Sequence, residues 1–522
     1  MPASLNREDA LRTVGTEKTW DVIVVGGGAT GLGTAVEAAS RGYKTLLLEA
    51  YDFGKGTSSR STKLVHGGVR YLQQGNVKLV LEALKERGRM LRNAPHLAHR
   101  RAFILPTYSY FGLPFYGIGL TLYDLLARRE GIGRSRLLSR RRVQEALPTI
   151  QGKGLKGGIL YYDGQFDDAR FAITLFRTLV DLGGTALNYM RVTGLVERNG
   201  AVAGVHAEDV ESGASLDIQC KAVVNATGVF VDELRKSDEP DADPILTVSQ
   251  GTHVVLPRRY LPSNSALMIP RTADGRVLFA IPWHGHVVVG TTDDPVPRSE
   301  IEPKAQKSER EYLFEHIERY LTPKLTSSAI QSVWSGQRPL VRKAGARNTA
   351  ALSRDHTILI SRTKLITVTG GKWTTYRKMG EDAVDRVAEL ANLPRSRSRT
   401  ANMKLHGWAS DLTTENEWER VYGSDLPKVR TLADGREDLL ELIDPDLPFR
   451  KIEIVWAARE EMARSVEDVL ARRTRALFLH AKASVGAAPV VAKLLARELH
   501  KDERWQEEQL AQYNKLASQY IW

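Results

Sequence analysis

The chain has 522 residues, 42% hydrophobic and 26% charged, a balance that gives several packed domains and excludes a disordered protein. Its net charge of +12 invites a nucleic-acid reading, but basic residues are spread along the chain without basic–aromatic interleaving, so no nucleic-acid partner is expected. The single cysteine, Cys220, excludes a disulfide framework and a multi-cysteine metal centre; in an apolar run it reads as a buried thiol.

The first twenty residues are polar and charged with no apolar core segment, so no secretory signal is read, and a cytoplasmic setting is expected. Residues 21–25 form a short β-branched run, a buried strand, ending in Gly26-x-Gly28-x-x-Gly31 with Gly33 beyond. Small residues at helical spacing follow over 30–40, then a second apolar strand at 44–48 that ends on Glu49. Strand, glycine turn, helix, strand and acid in that order make a dinucleotide-binding βαβ unit. Gly26, Gly28, Ala29, Thr30 and Gly31 would form the turn and the helix N-terminus that receive a pyrophosphate, and Glu49 would accept from a ribose diol. Residues 50–75 are rich in glycine and hydroxyls. Thr57, Ser58, Ser59, Ser61 and Thr62 can wrap a tightly held cofactor, which favours FAD over NAD.

Residues 77–91 have helical apolar spacing. The uncharged stretch 102–123 is long enough to span a bilayer, but Pro106, Gly112, Pro114, Gly117 and Gly119 interrupt it. A partly exposed apolar surface or a buried irregular segment is the reading. Seven arginines between 128 and 142 follow it, suited to anionic lipid headgroups beside the apolar stretch or to a solvated face. A further αβ portion covers 157–230, with a helix at 167–182, short strands at 185–219, and a strand running into Ala226, Thr227 and Gly228. From 245 to 340 strands dominate, with a helix near 308–320. His284 and His286 flank a hairpin turn without a third ligand, so no metal is expected. Two strands at 355–369 lead through Gly370, Gly371, Lys372, Thr374 and Thr375 into a helix ending near 390, another open helix N-terminus. The stretch 394–400 reads as a linker, and 410–522 as helical.

Several separated motifs carry a resemblance: VIVVGGGATGLGTA, TSSRSTKLVHGGVRYL, VVNATGVF, SQGTHVVLP, WSGQRPL, SRDHTI, TGGKWTTYRKM and RSVEDVLARRTRALFL. In this order, over about 20–515, they resemble the FAD-dependent, quinone-linked glycerol-3-phosphate dehydrogenases of bacterial type. The resemblance implies an α/β Rossmann-like FAD-binding domain, an antiparallel β-sheet substrate domain of D-amino-acid-oxidase-like fold, and an all-α C-terminal domain. FAD-domain segments would be 1–95, 151–244 and 341–395, cap segments 96–150 and 245–340, and the helical domain 400–522. It implies oxidation of sn-glycerol 3-phosphate to dihydroxyacetone phosphate, with hydride passing to flavin N5 and electrons to a membrane quinone. The protein would sit peripherally on the inner face of the cell membrane, with a homodimer compatible.

The resemblance also assigns the pocket. Arg70, Arg338 and Arg354 would be its cations, with Lys372 nearby, and arginine forks suit a phosphate. His253, at the start of an apolar strand, would take the substrate proton, with Arg338 acting alongside it; His66 is the rival. Tyr71 could bond a substrate oxygen. His66, Gly67, Gly68, Gly370, Gly371, Lys372, Thr374 and Thr375 would approach the flavin. Other readings are an oxygen-using amine, amino-acid or glycerophosphate oxidase of the same fold, and a non-catalytic binding module.

Overall fold

The computed structural model describes residues 5–68, 76–272, 275–342, 356–410, 414 and 416–522. Two large sheets organise them. The first has six strands in the spatial order His356–Ile360, Ile366–Gly370, Val223–Asn225, Val22–Val25, Thr45–Leu48 and Thr185–Leu187. Every pairing in it is parallel except that of the two strands at the His356 edge. Val22–Val25 and Thr45–Leu48 are buried throughout, as strands covered on both faces must be. Helices Ala29–Ser40, Asp168–Asp181 and Tyr376–Leu390 supply one cover. The helix Ala29–Ser40 meets Tyr376–Leu390 at two glycines: a Cβ on Gly380 would come 2.6 Å from the Gly33 carbonyl oxygen. The other face packs on a three-stranded antiparallel sheet, Met190–Arg198, Ala201–Asp209 and Ser215–Gln219. Cys220 is buried among these apolar residues.

The second sheet is mainly antiparallel. Its long strand Leu246–Pro257 pairs along its length with Ser332–Val341 on one side and with His286–Gly290 and Asp294–Val296 on the other. The sheet continues through Leu278–Trp283, Ala266–Ile269, Ala98–Thr107 and Gly157–Phe166 to Leu64–Val65. The sequence boundary at 150/151 is thereby corrected. Gly157–Phe166 pairs residue for residue with Ala98–Thr107, so this strand belongs to the second sheet and the return to the first begins at the Asp168 helix.

The uncharged stretch is regular rather than irregular. It contains the second half of Ala98–Thr107 and then a helix, Gly112–Ala127, with Pro114 in the first turn, where its missing N–H costs nothing. That helix buries Leu120, Tyr123 and Ala127 and leaves Phe115, Ile118, Leu122 and Leu125 exposed. Among the described residues no helix is long and apolar enough to cross a membrane.

The C-terminal part is helical, and its core includes Val255, Trp283, Val288 and Trp334 of the second sheet. The motif around 465–479 is the joint. Arg472 and Arg473 both pair with the buried carboxylate of Asp52, and Arg170 forms two bonds of 2.6 and 2.7 Å to Glu461. The 394–400 stretch is strapped down, since the Ser398 hydroxyl donates to Glu37 (3.0 Å) and Arg41 bonds the Ser396 carbonyl (3.2 Å).

Candidate active site

The glycine turn closes as its spacing demands. Gly26 sits at φ +106°, and a Cβ there would come 2.6 Å from the Ala226 carbonyl oxygen of the neighbouring strand end. The helix Ala29–Ser40 starts from Gly28, whose N-cap position carries no side-chain cap. The Ala29 N–H donates to Ser58 Oγ at 2.9 Å, so the loop at 57–59 faces the helix N-terminus. Glu49 accepts from the Gly27 N–H (2.5 Å) and the Tyr51 N–H (2.9 Å), which fixes it at the rim of the turn. Burial raises its pKa against the pull of those two N–H groups.

A cavity of about 650 Å³ runs from this turn along the strand ends. Gly26, Gly28, Ala29, Thr30, Glu49, Thr57, Ser58, Ala226, Thr227, Gly228, Gly370, Gly371 and Lys372 all line it. A second cavity, of about 500 Å³, opens under the antiparallel sheet and shares Thr57, Pro339, Gly371, Lys372 and Trp373 with the first. Ser61, His66, Gly68, His253, Arg338 and Thr374 line this second chamber. An elongated dinucleotide fits the pair, with phosphates at an open helix N-terminus and a glycine-walled passage at 370–371 leading to the inner chamber.

Strand register builds the inner chamber. Opposite His253 stand Gly290 on one neighbouring strand and Trp334 on the other; opposite Gly251 stands Gly336, and opposite Ser249 stands Arg338. Trp334, Gly336 and Arg338 share a face by the two-residue period of a strand. The His253 ring stacks on Trp334 with centroids 4.1 Å apart and planes 18° apart. Its Nε2 is hydrogen-bonded to Thr62 Oγ1 at 2.9 Å. Nδ1 is buried without a hydrogen-bond partner among the described residues. Burial, then the Lys63 and Arg338 cations, hold the imidazole well below the ordinary histidine range, so it is neutral at physiological pH. Arg338 donates to Asp293 Oδ1 (3.1 Å), Thr291 Oγ1 (3.2 Å) and the Thr292 carbonyl (3.3 Å). The lining includes the cations Arg60, Arg276, Arg338 and Lys372 and the apolar cluster of Leu64, Phe103, Met268 and Phe279.

The family description "FAD dependent oxidoreductase" matches residues 21–377, and "C-terminal domain of alpha-glycerophosphate oxidase" matches residues 361–508. The mitochondrial glycerol-3-phosphate dehydrogenase of Rattus norvegicus is 37% identical over 97% of this chain and 74% of its own length. This chain belongs to the FAD-dependent glycerol-3-phosphate dehydrogenase family. A mitochondrial glycerol-3-phosphate dehydrogenase of Arabidopsis thaliana is 36% identical over 98% of this chain and 88% of its own. The structure of a Bacillus halodurans glycerol-3-phosphate dehydrogenase complexed with FAD superposes with a TM-score of 0.81 at 28% identity, covering 100% of this chain and 99% of that one. The L-alpha-glycerophosphate oxidase of Mycoplasma pneumoniae, at 18% identity and a TM-score of 0.57, shares the fold.

As a glycerol-3-phosphate dehydrogenase family member the protein is a flavoprotein oxidoreductase using FAD, and the paired cavities are where its own residues accommodate that group. Four expected cofactor residues nevertheless line neither cavity. A Cβ on Gly31 would overlap the Gly26 carbonyl oxygen, so Gly31 serves the packing of turn against helix. Ser59 turns inward and donates to the Gly54 carbonyl at 2.7 Å. The Gly67 N–H donates to the Tyr123 hydroxyl at 2.8 Å, which holds the apolar helix against this loop. Thr375 is buried, its hydroxyl bonded to the Lys372 carbonyl at 3.2 Å. The expected Arg70, Tyr71 and Arg354 lie outside the described residues.

The sequence reading missed Trp334, Gly290, Asp293, Arg276 and Lys63. Trp334 and Gly290 show only once strand register is known. Asp293 sits in TTDD, which reads as a turn, and Lys63 is one letter in a hydroxyl-rich loop. Among the described residues no group of three or more His, Cys, Asp or Glu side chains could hold a metal, and His284 is instead bonded to Asp167 (3.3 Å).

Proposed function

We propose that this protein oxidises sn-glycerol 3-phosphate to dihydroxyacetone phosphate and passes the electrons to a quinone dissolved in the membrane. The observation that carries this reading is one chamber holding a neutral buried imidazole, His253, beside a guanidinium, Arg338, next to the glycine passage from the nucleotide cavity. Bound FAD would supply the two-electron acceptor there, at its isoalloxazine ring. The chain's own residues do the rest. Arg338, with Lys372 beside it, receives the substrate phosphate; Arg70 and Arg354 are assigned to the same work by family resemblance. Arg338 exchanges part of its bonding to Asp293 for the phosphate, so Asp293 orients the guanidinium before substrate arrives. His253 takes the proton of the carbon-2 hydroxyl at Nε2, the nitrogen that faces the cavity-lining Thr62 hydroxyl. Trp334, stacked on the ring, fixes its plane. Water is kept out by the apolar cluster of Phe103, Met268 and Phe279 in the chamber wall.

Access to a lipid-borne acceptor is supported by the helix Gly112–Ala127. Phe111 is 87% exposed, Ile118 71% and Leu125 68%, on the outer side of a helix that buries its other side. Arg128, Arg129, Arg134, Arg136, Arg140, Arg141 and Arg142 are all exposed next to it. An apolar face with a cationic rim is the surface that lies in an anionic lipid interface without crossing it.

Turnover tests the reading. Holoprotein assayed with glycerol 3-phosphate should reduce a soluble quinone analogue faster than it reduces oxygen, and substitution His253→Gln should lower kcat by about 10²–10⁴-fold while the protein stays yellow. Near-normal turnover in His253→Gln would remove the histidine from the chemistry.

A further inference from the structure

A second cation stands close to His253 from outside the chamber. Lys63 is wholly buried and lines neither cavity. Its ammonium donates to both oxygens of Asp168 (2.8 and 2.7 Å) and to the Ser59 carbonyl (2.9 Å). The same nitrogen lies over the Trp334 ring, 4.7 Å from its centroid, and that ring is the one on which His253 stacks. Asp168 is a knot: it also accepts from the Ser61 N–H (2.9 Å), the Ser61 hydroxyl (2.8 Å) and Arg475 of the helical C-terminal part (3.1 Å). Ser61 and Lys63 flank Thr62, whose hydroxyl bonds His253. Lys63, Asp168 and Arg475 are all buried, so their arrangement is fixed by side chains with nowhere else to go.

We infer that Lys63 is a positioning residue for the base: tied to Asp168, which also holds Arg475, it fixes Thr62 and sets a positive charge against Trp334 that keeps His253 unprotonated and ready to accept a proton. This rests on the reading of His253 as the base. Sharing the chamber with the imidazole are Arg338 with its partner Asp293, and Arg60, Arg276, His66, Lys372, Tyr161 and Asp163. Behind it lie Lys63, Asp168, Asp167 and Arg475, with His284 bonded to Asp167. Burial, Lys63 and Arg338 all disfavour the imidazolium. Lys63 itself is brought down to about 7, by burial first and by Arg475, with Asp168 pulling the other way. Lys63 is therefore charged below about 7, the range in which an ordinary imidazole would begin to protonate.

The experiment is the pH profile of kcat/KM for glycerol 3-phosphate, measured on yellow holoenzyme with Lys63 intact, with Lys63→Met and with Lys63→Arg. Lys63→Met should move the acid limb upward by about one pH unit or more, because the imidazole then protonates more readily. Lys63→Arg restores the charge and should hold the limb at or below its original position. A yellow Lys63→Met enzyme with an unmoved limb overturns the inference, and so does Lys63→Arg with a limb shifted upward. If Lys63→Met loses its flavin, ¹⁵N NMR of the histidine-labelled native holoenzyme decides, with the His253 signals assigned through His253→Gln. The ring should stay neutral well below the ordinary 6.5, and a ring titrating near 6.5 overturns the inference. The two readings separate cleanly. An active His253→Gln enzyme refutes the base assignment, whereas an inactive one with the Lys63→Met limb unmoved refutes the role of Lys63 alone.

Discussion

His253 is packed so closely against the backbone of Gly290 that a Cβ at 290 would overlap its Cδ2 atom. Gly290→Ala therefore displaces the imidazole without touching its chemistry. Steady-state assay should show kcat reduced on the order of a hundredfold with FAD retained, because small misplacement of a reacting group carries that cost. Gly251→Ala strikes the other partner, since a Cβ there would overlap the Arg338 guanidinium. Its main effect should be a raised KM for glycerol 3-phosphate, and an unchanged KM would move the phosphate away from Arg338. Single letters such as His253 and Arg338 were legible in the sequence only through short motifs shared with a family. Gly290 and Trp334 were not, because what makes them site residues is their register opposite His253, and register is set by pairing across dozens of residues.

At the scale of elements, local patterns carried well where the physics is local. The strand, turn and helix of 22–40 and the helix Asp168–Asp181 follow from β-branched runs, glycines and an aspartate N-cap. Residues 157–166 were grouped with the αβ portion that follows them, because nothing in the local sequence shows that they pair with Ala98–Thr107. The buried arginines of the C-terminal motif were equally hidden: on a helix, arginines read as a solvated face. Here Asp52 is the buried counter-charge of Arg472 and Arg473; burial raises its pKa, and the two guanidinium groups overcome this and hold it low. Asp52→Asn leaves two buried cations without that carboxylate and should cost roughly 3–5 kcal/mol, seen as a lower denaturant midpoint. A second joint carries a pH signature. His406 bridges Asp181 (2.7 Å) and Asp425 (2.6 Å); burial disfavours its charge, but the two carboxylates outweigh burial and raise its pKa above 6.5. A raised folded-state value means that its contribution to stability is complete below 6.5 and fades as pH rises through the folded value. Denaturant midpoints measured across that range should fall with pH in the native protein, and His406→Gln should flatten the fall.

For the whole molecule, the two sheets and the helical part form one frame around a cleft, with an apolar helix and an arginine rim on the outside. Composition hinted at that surface, since the uncharged 102–123 stretch and the arginines after it stand side by side in the sequence. Its form required the fold, in which the first part of the stretch ends a sheet strand and most of the rest is a helix. Vesicles rich in anionic lipid should retain the protein at low salt, and Phe111→Ser together with Ile118→Ser should release it while leaving reduction of a soluble acceptor intact. The cleft itself is tested by light absorption. Anaerobic addition of glycerol 3-phosphate to the purified yellow holoprotein should bleach the flavin band stoichiometrically, and reoxidation by a quinone analogue should restore it. A band that persists through that titration would contradict the assignment of the His253–Arg338 chamber to this substrate.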